Sequence, residues 1–371
     1  MDWNYHFQGE ETIPSPALVY YEEIIRRNAA RAAAEAGGAD RLWPHVKTHK
    51  SLDLTRLLVE FGIRRFKCAT LAEAEMAADA GAADVLLAYP LAGPAIGNFV
   101  RLAAVRPRTR FWALGDNIGQ LKALGETAWG QKMRISCLAD INTGMNRTGV
   151  PMEKAAAFYE EAAKIPGISM KGLHCYDGER HERQYSERLV QTEKTAAKVR
   201  EIRRKLDERG LCCEVLIMGG SPSFPCYAGN MPEAYLSPGT VFVYDAGYRE
   251  QFPDLPYQPG AAVMTRVVSH PEKGYFTLDA GYKAISAEQG KRGVLVSCPH
   301  AREQFQSEEH WTFRMDEGYE EARPAIGTVL YVIPWHICPT TALYDEICVV
   351  SGGKKKEVWP VTARKRNVKF C

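Results

Sequence analysis

The chain reads as a TIM-type (β/α)8 barrel followed by an all-β domain. Three observations predict this. From about residue 17 to 245, short apolar runs alternate with helical patterns about eight times, which is the repeat and length of such a barrel. Polar, Gly-rich motifs follow nearly every run; a barrel gathers such loops at one mouth, whereas a doubly wound sheet gathers them only near its switch point. After about residue 250 the helical patterns fade, and short alternating runs with Gly/Pro turns replace them.

In order, the runs at 17–21, 42–49, 66–69, 84–89, 109–114, 133–141, 171–176 and 213–218 read as strands. Each is a short, largely apolar run set between helical patterns. Helical spacing of apolar residues predicts helices over 24–36, 52–61, from 72, 96–104, 118–129, 152–164 and 186–208. Strands of the second domain are expected at 262–268, 275–279, 293–297, 310–315, 328–333, 346–350 and 357–363. The expected division is a barrel over 17–250 and a β domain over 251–371, joined by 1–16, with 252–256 as linker.

Hydrophobic residues make up 46% and charged residues 25% of 371 residues, enough for a sizeable core. A net charge of +2 gives no reason to expect nucleic acid or an anionic membrane surface as partner. The locally basic stretches Lys354-Lys355-Lys356 and Arg364-Lys365-Arg366 read as a solvated face. The opening residues lack an apolar h-region, so no signal peptide is expected, and no run reaches bilayer-spanning length. Ten scattered cysteines, mostly in apolar runs and without CxxC, predict reduced thiols in a cytoplasm.

Pro44-His45-Val46-Lys47-Thr48-His49-Lys50 is the segment richest in chemistry. Read as a strand end, it aims His45, Lys47 and His49 to one side. A lysine in a polar cluster at a strand end can lose its proton and attack a carbonyl; a solvated basic loop is the duller alternative. Gly219-Gly220-Ser221 and Ser237-Pro238-Gly239-Thr240 are two loops able to hold a phosphate at adjacent strand ends. Neither is followed by a Walker lysine, and GxGxxG is absent, so a nucleoside triphosphate is not expected. Arg147, in the polar loop 140–150, could hold a carboxylate or a cofactor oxygen, and a structural turn explains it equally well. His174 and Tyr176 share a face at a strand end, where Tyr176 could stack on an aromatic cofactor or both could be core residues. His336 and Cys338 stand at i, i+2 after an apolar run, a pair that suits Zn²⁺ or an unliganded core. Ser307-Glu308-Glu309-His310 either faces that pair or is a solvated turn, and Lys283 is a rival for the reactive amine.

Together these motifs resemble the D-threonine aldolase family and its sister eukaryotic-type D-serine dehydratases, with the alanine-racemase-like fold (type III) of pyridoxal-phosphate enzymes. The resemblance runs from Ser15-Pro16-Ala17 through the Lys47 segment, 66–75 and Gly144-Met145-Asn146-Arg147-Thr148-Gly149, to both glycine loops and His336-Ile337-Cys338-Pro339-Thr340. It implies that Lys47 carries pyridoxal 5'-phosphate as a Schiff base. It implies cofactor binding by His45, Arg147, Tyr176, Gly220, Ser221, Gly239, Thr240 and Tyr244. It makes His336 and Cys338 ligands of a divalent metal, and the chain a homodimer. Some aldolases of the family carry His-x-Asp and dehydratases carry His-x-Cys, so Cys338 favours zinc over manganese.

The activity expected is cleavage of a D-3-hydroxy amino acid to glycine and an aldehyde, with His49, His174 or Lys47 as base. Zinc-dependent dehydration of D-serine or D-threonine is the main alternative. A racemase would need a second base and no metal, and a non-catalytic cofactor carrier would lack the β domain.

Overall fold

The computed structural model describes residues 4–366 and 368. Met1–Trp3, part of the N-terminal segment expected to join the β domain, lie outside the described residues, as do 367 and 369–371. The chain falls into two units: residues up to Ala29 with Thr240–Val361, and Ala30–Gly239 with Thr362 onward.

The unit of residues 30–239 is built on parallel strands. Arg65–Cys68, Asp84–Leu87, Arg110–Gly115, Ile135–Asn142, Ile168–Cys175, Val215–Met218 and Tyr235–Leu236 pair in that order. The ring is closed by the short segment 42–45. Leu42 bridges Leu236 and His45 bridges Lys67, both parallel. Trp43 N–H donates to Leu236 O (2.8 Å), His45 N–H to Pro238 O (2.9 Å) and Lys67 N–H to Pro44 O (2.7 Å). That makes eight staves, seven strands and one bridge-held segment, and burying both faces explains their continuous apolar runs.

The number of staves agrees with the sequence reading; the membership does not. Ala17–Tyr21, read as the first barrel strand, pairs antiparallel with Ala261–Ser269 and parallel with Glu346–Ser351 in the other unit. An apolar run buried on both faces looks alike in either sheet, and a helix, Glu22–Ala36, follows it in both readings. The last stave, Tyr235–Leu236, is too short to show a period.

Inside the ring Trp43 anchors a cluster with Leu86, Trp112, Leu114, Leu138 and Ile217. Its indole meets Trp112 and Tyr235 edge-on, with centroids 5.5 and 5.4 Å away, and its Nε1–H donates to Phe66 O (2.9 Å). Fully burying each such aliphatic side chain contributes about 1.5–3 kcal/mol. Helices cover the outside, several started by side-chain caps: Ser51 for Leu52–Glu60, Thr70 for Leu71–Asp79 and Asn117 for Ile118–Gly130, each worth about 1 kcal/mol.

Gly172 lies where two staves approach closely. A Cβ there would overlap the Val215 carbonyl, which is backbone and cannot swing aside. Gly172→Ala is therefore expected to lower the unfolding free energy by about 2–3 kcal/mol in urea titration. A change within about 0.5 kcal/mol would show that the staves part at no cost.

The other unit is mostly antiparallel. Its sheets order Ala301–Gln306, Trp311–Met315, Tyr275–Leu278, Ala261–Ser269, Ala17–Tyr21, Glu346–Ser351 and Lys354–Pro360, with Val329–Pro334 and Gly293–Leu295 branching from Ala261–Ser269. The strand Ala301–Gln306 escaped the sequence reading because it is mostly polar and exposed. Lys354–Pro360 is an exposed edge strand whose lysines guard its open edge. Phe252 and Leu255, expected in a linker, are buried in this unit. Its core joins Tyr5, Phe7, Val19, Tyr21 and Tyr331, so the early chain is held by packing rather than by sequence proximity. Among the described residues no cysteine forms a disulfide, and no helix is long and apolar enough to cross a membrane.

Candidate active site

The barrel unit gathers its polar side chains just beyond the carboxyl ends of its staves, where barrels of this kind place chemistry. The segment after His45 is not a strand. Val46–Thr48 is a 3-10 turn, and His45 is its N-cap, with Nδ1 accepting Lys47 N–H (3.2 Å). The alternating-face reading of His45, Lys47 and His49 is therefore replaced: the turn directs them differently. Lys47 is half-buried. His49 is 1% exposed and its Nδ1 accepts Ser51 N–H (3.2 Å). Burial, aided by the Lys50 charge, pushes its pKa down to about 3. Lys50 itself pairs with the buried Glu73. Burial first, then the charges of Lys47 and Lys67, drives His45 well below the usual histidine range, so its ring is neutral.

A chain of side chains crosses three neighbouring staves. Lys67 Nζ meets His174 Nε2 (3.2 Å), and His174 Nδ1 meets Asp140 Oδ1 (2.7 Å). Thr148 Oγ1–H donates to Asp140 Oδ2 (2.8 Å). Lys67, His174 and Asp140 are each no more than 4% exposed. Burial would raise Asp140, but the His174 hydrogen bond and charge, the Thr148 hydroxyl and Lys67 outweigh it and hold the carboxyl below its usual range. Burial and the Lys67 charge lower His174. Its Nδ1–H therefore donates to the ionised carboxylate, and Nε2 accepts. Burial, then the charge of Lys47, brings Lys67 down to about 7. Lys67 was missed in the sequence because Phe66-Lys67-Cys68 reads only as an apolar strand; a lysine inside such a run was the available signal.

Tyr176 forms the aromatic wall. The Lys67 ammonium lies 5.3 Å from its ring centroid and the Arg147 guanidinium 5.1 Å. Arg147 rides on an exposed loop folded by Asn142, whose Oδ1 accepts Gly144 N–H (3.0 Å) and Asn146 N–H (3.1 Å). The glycine loops stand beside this wall. Gly239 N–H donates to Ser221 Oγ (3.0 Å), tying one loop to the other. A Cβ on Gly220 would come 3.0 Å from the Tyr176 ring, and one on Gly239 would come 3.3 Å from His45 Cβ. The loop is backed by Asp177, which accepts from Ser223 Oγ (2.7 Å) and is raised to about 6 by burial. Amine and guanidinium groups, an aromatic wall and close-approach glycines together fit a phosphorylated aromatic aldehyde.

The other unit holds the remaining predicted residues. The strand Val329–Pro334 ends before His336, which caps the short helix Ile337–Thr341. His336 and Cys338 thus stand on a helical turn rather than a strand face, yet their side chains are hydrogen-bonded. Glu288 contacts His336 Nδ1, and Gln289 Nε2 lies 3.3 Å from it. Burial opposes the charged imidazole, but Cys338, Glu288 and Asp245 outweigh it and raise His336 to about 9. Thr240 Oγ1 lies 3.7 Å from Cys338 Sγ. Among the described residues no cluster of three metal-ligating side chains is assembled. The donor chemistry, an imidazole and a thiol, suits a zinc-like cation with an open remainder of its shell. Tyr244 is buried, with ring centroids of Tyr257 and Tyr248 at 5.7 and 6.3 Å. Glu308 and Glu309 do not join the His336 pair: both bind Lys283 at the surface (2.8 and 3.0 Å), which holds that amine protonated and removes it as a rival nucleophile.

Comparison with known proteins places the whole chain among relatives. Residues 22–245 match the family Alanine racemase, N-terminal domain, and 260–350 match Putative serine dehydratase domain. The chain is 27% identical over 361 residues to a D-threonine aldolase of an Arthrobacter species, covering 95% of this chain and 93% of that one. It is 24% identical to the D-threo-3-hydroxyaspartate dehydratase of Delftia sp. strain HT23, covering 94% and 97%. The crystal structure of D-threonine aldolase from Filomicrobium marinum superposes with a TM-score of 0.87 at 29% identity, covering 97% of this chain and 98% of that one. The chain belongs to the alanine-racemase-like, fold type III family of pyridoxal-phosphate enzymes, and along nearly its whole length it is similar to both D-threonine aldolases and hydroxyaspartate dehydratases.

Proposed function

We propose that this protein is a pyridoxal-phosphate- and divalent-metal-dependent lyase that cleaves D-3-hydroxy amino acids to glycine and an aldehyde. The observation that carries it is the presentation of Lys47 on a turn at the end of a barrel stave, beside an amine-rich pocket and two tied glycine loops. Likeness to aldolases along nearly the whole chain supports the same reading.

When bound, the cofactor supplies an electron sink for negative charge at the amino acid's Cα. Lys47 would hold its aldehyde carbon. Gly220, Ser221 and Gly239 would hold its phosphate, because their backbone admits close approach. Tyr176 would back its ring, and Arg147 would fix an oxygen bidentately. Neutral His45 holds the Lys47 turn without adding a positive charge beside the amine. His336 and Cys338 would hold the metal, whose chemistry is to lower the pKa of the substrate's 3-hydroxyl.

Dehydration is kept as a second reading by one observation: the thiol of Cys338 stands where a carboxylate marks some aldolases of the family. D-Threonine separates the two. Incubation of the cofactor-loaded enzyme is expected to release glycine and acetaldehyde, measured by amino-acid analysis. Release of 2-oxobutanoate in their place would overturn the aldolase reading in favour of dehydration.

A further inference from the structure

We propose that Lys67 is a second catalytic amine of the barrel pocket, carrying a proton to and from the amino acid's Cα, with His174 and Asp140 as the positioning residues behind it. This rests on Lys47 being the cofactor-bearing lysine, and it adds a group that reading does not contain.

The placement is the first ground. Lys67 is 3% exposed, between the fully buried Phe66 and Cys68. Burying an amine in a strand is costly, and an apolar side chain would fill the same space more stably. Lys67 is one residue pairing away from the segment that leads into Lys47, because His45 bridges it.

The hydrogen-bond geometry is the second ground. Asp140 takes His174 Nδ1–H, which leaves Nε2 as an acceptor. Lys67 must therefore donate one N–H to Nε2. A neutral amine then keeps its lone pair and one N–H for a ligand. This is the order of a base held by a second group that a third group orients. Facing Lys67 are the cations Lys47 and Arg147, the anions Asp140 and Asp177, and the neutral rings of His45 and His174. Their balance, with burial, brings the amine to about 7, where a proton can move both ways at neutral pH.

The step balances. The lone pair of Lys67 Nζ forms an N–H bond as the Cα–H bond breaks, and the electron pair stays at Cα. In the aldol-cleavage direction the Cα–H bond stays intact: the 3-hydroxyl proton leaves to a base as the Cα–Cβ bond breaks to release the aldehyde, and the Lys67 ammonium, protonated from solvent at neutral pH, gives its proton to the electron pair left at Cα as glycine forms. Asp140, through His174, offsets the charge gained.

The test compares wild type with Lys67→Met, which keeps length and removes the amine. Borohydride reduction and peptide mass should place the pyridoxyl group on Lys47 in both. No label on Lys47 in wild type would sink the underlying reading and this proposal with it. With the label intact in both, exchange of the glycine α-proton in D2O, followed by NMR, should fall about 10²- to 10⁴-fold in the variant. The pH titration of the bound cofactor's absorbance should lose an inflection near pH 7. Exchange within about threefold of wild type, or an unchanged inflection, overturns the proposal. If Lys67→Met does not fold, His174→Gln serves: it should displace the inflection by about one unit, and an unmoved inflection overturns the proposal.

Discussion

Lys47→Ala is expected to abolish turnover, by on the order of 10⁴- to 10⁶-fold, the scale seen when a covalent group is removed. It is also expected to remove the absorbance band at roughly 420 nm that marks an imine of this cofactor. The fold should survive. The 3-10 turn is held by backbone hydrogen bonds and by His45, and the Lys47 side chain is only half-buried. Circular dichroism and gel filtration should therefore match wild type while the band disappears. The rival amine Lys283 is exposed and ion-paired to two glutamates, so it offers no substitute. A Lys47→Ala protein that keeps both band and activity would move the covalent linkage elsewhere.

The second large effect concerns His336 and Cys338. Chelation of the purified enzyme, or His336→Ala, is expected to lower kcat by about 10³-fold, since a Lewis acid at a developing alkoxide supplies several kcal/mol. Elemental analysis should show the metal content falling in step, with the cofactor band retained. Cys338→Asp replaces a soft donor by a hard one, so preference in add-back assays should move from zinc towards manganese. Full activity after exhaustive chelation would remove the metal from the reaction and raise the racemase alternative.

The fold was legible where periodicity carried it. Seven of the eight staves and most covering helices announce themselves as apolar runs and amphipathic turns, because each is long enough to show a period. What failed was assignment of partners. Ala17–Tyr21 has the composition of a barrel strand, and nothing local says which sheet its edges meet. Tyr235–Leu236 is two residues long and is defined only by the strands beside it. At the site, the strand-face reading of Lys47 and of His336 with Cys338 gives way to turns: Lys47 lies in a 3-10 turn, and His336 and Cys338 stand at the start of a short helix. On such turns residues i and i+2, His45 with Lys47 and His336 with Cys338, do not share a strand face. Lys67 stayed hidden because its partners, His174 and Asp140, lie 107 and 73 positions away in sequence and meet it only through stave order.

One detail of the ring bears on how this protein fails. Seven staves are ordinary strands; the eighth, 42–45, is fastened by single bridges on either side. Breathing should begin at that seam, since few hydrogen bonds resist it. Position 47 hangs directly from the seam, so the first local opening swings the reactive amine out of register long before the rest of the cylinder melts. A small molecule tethered there would act as a clasp, and an unloaded chain would age from its own working end.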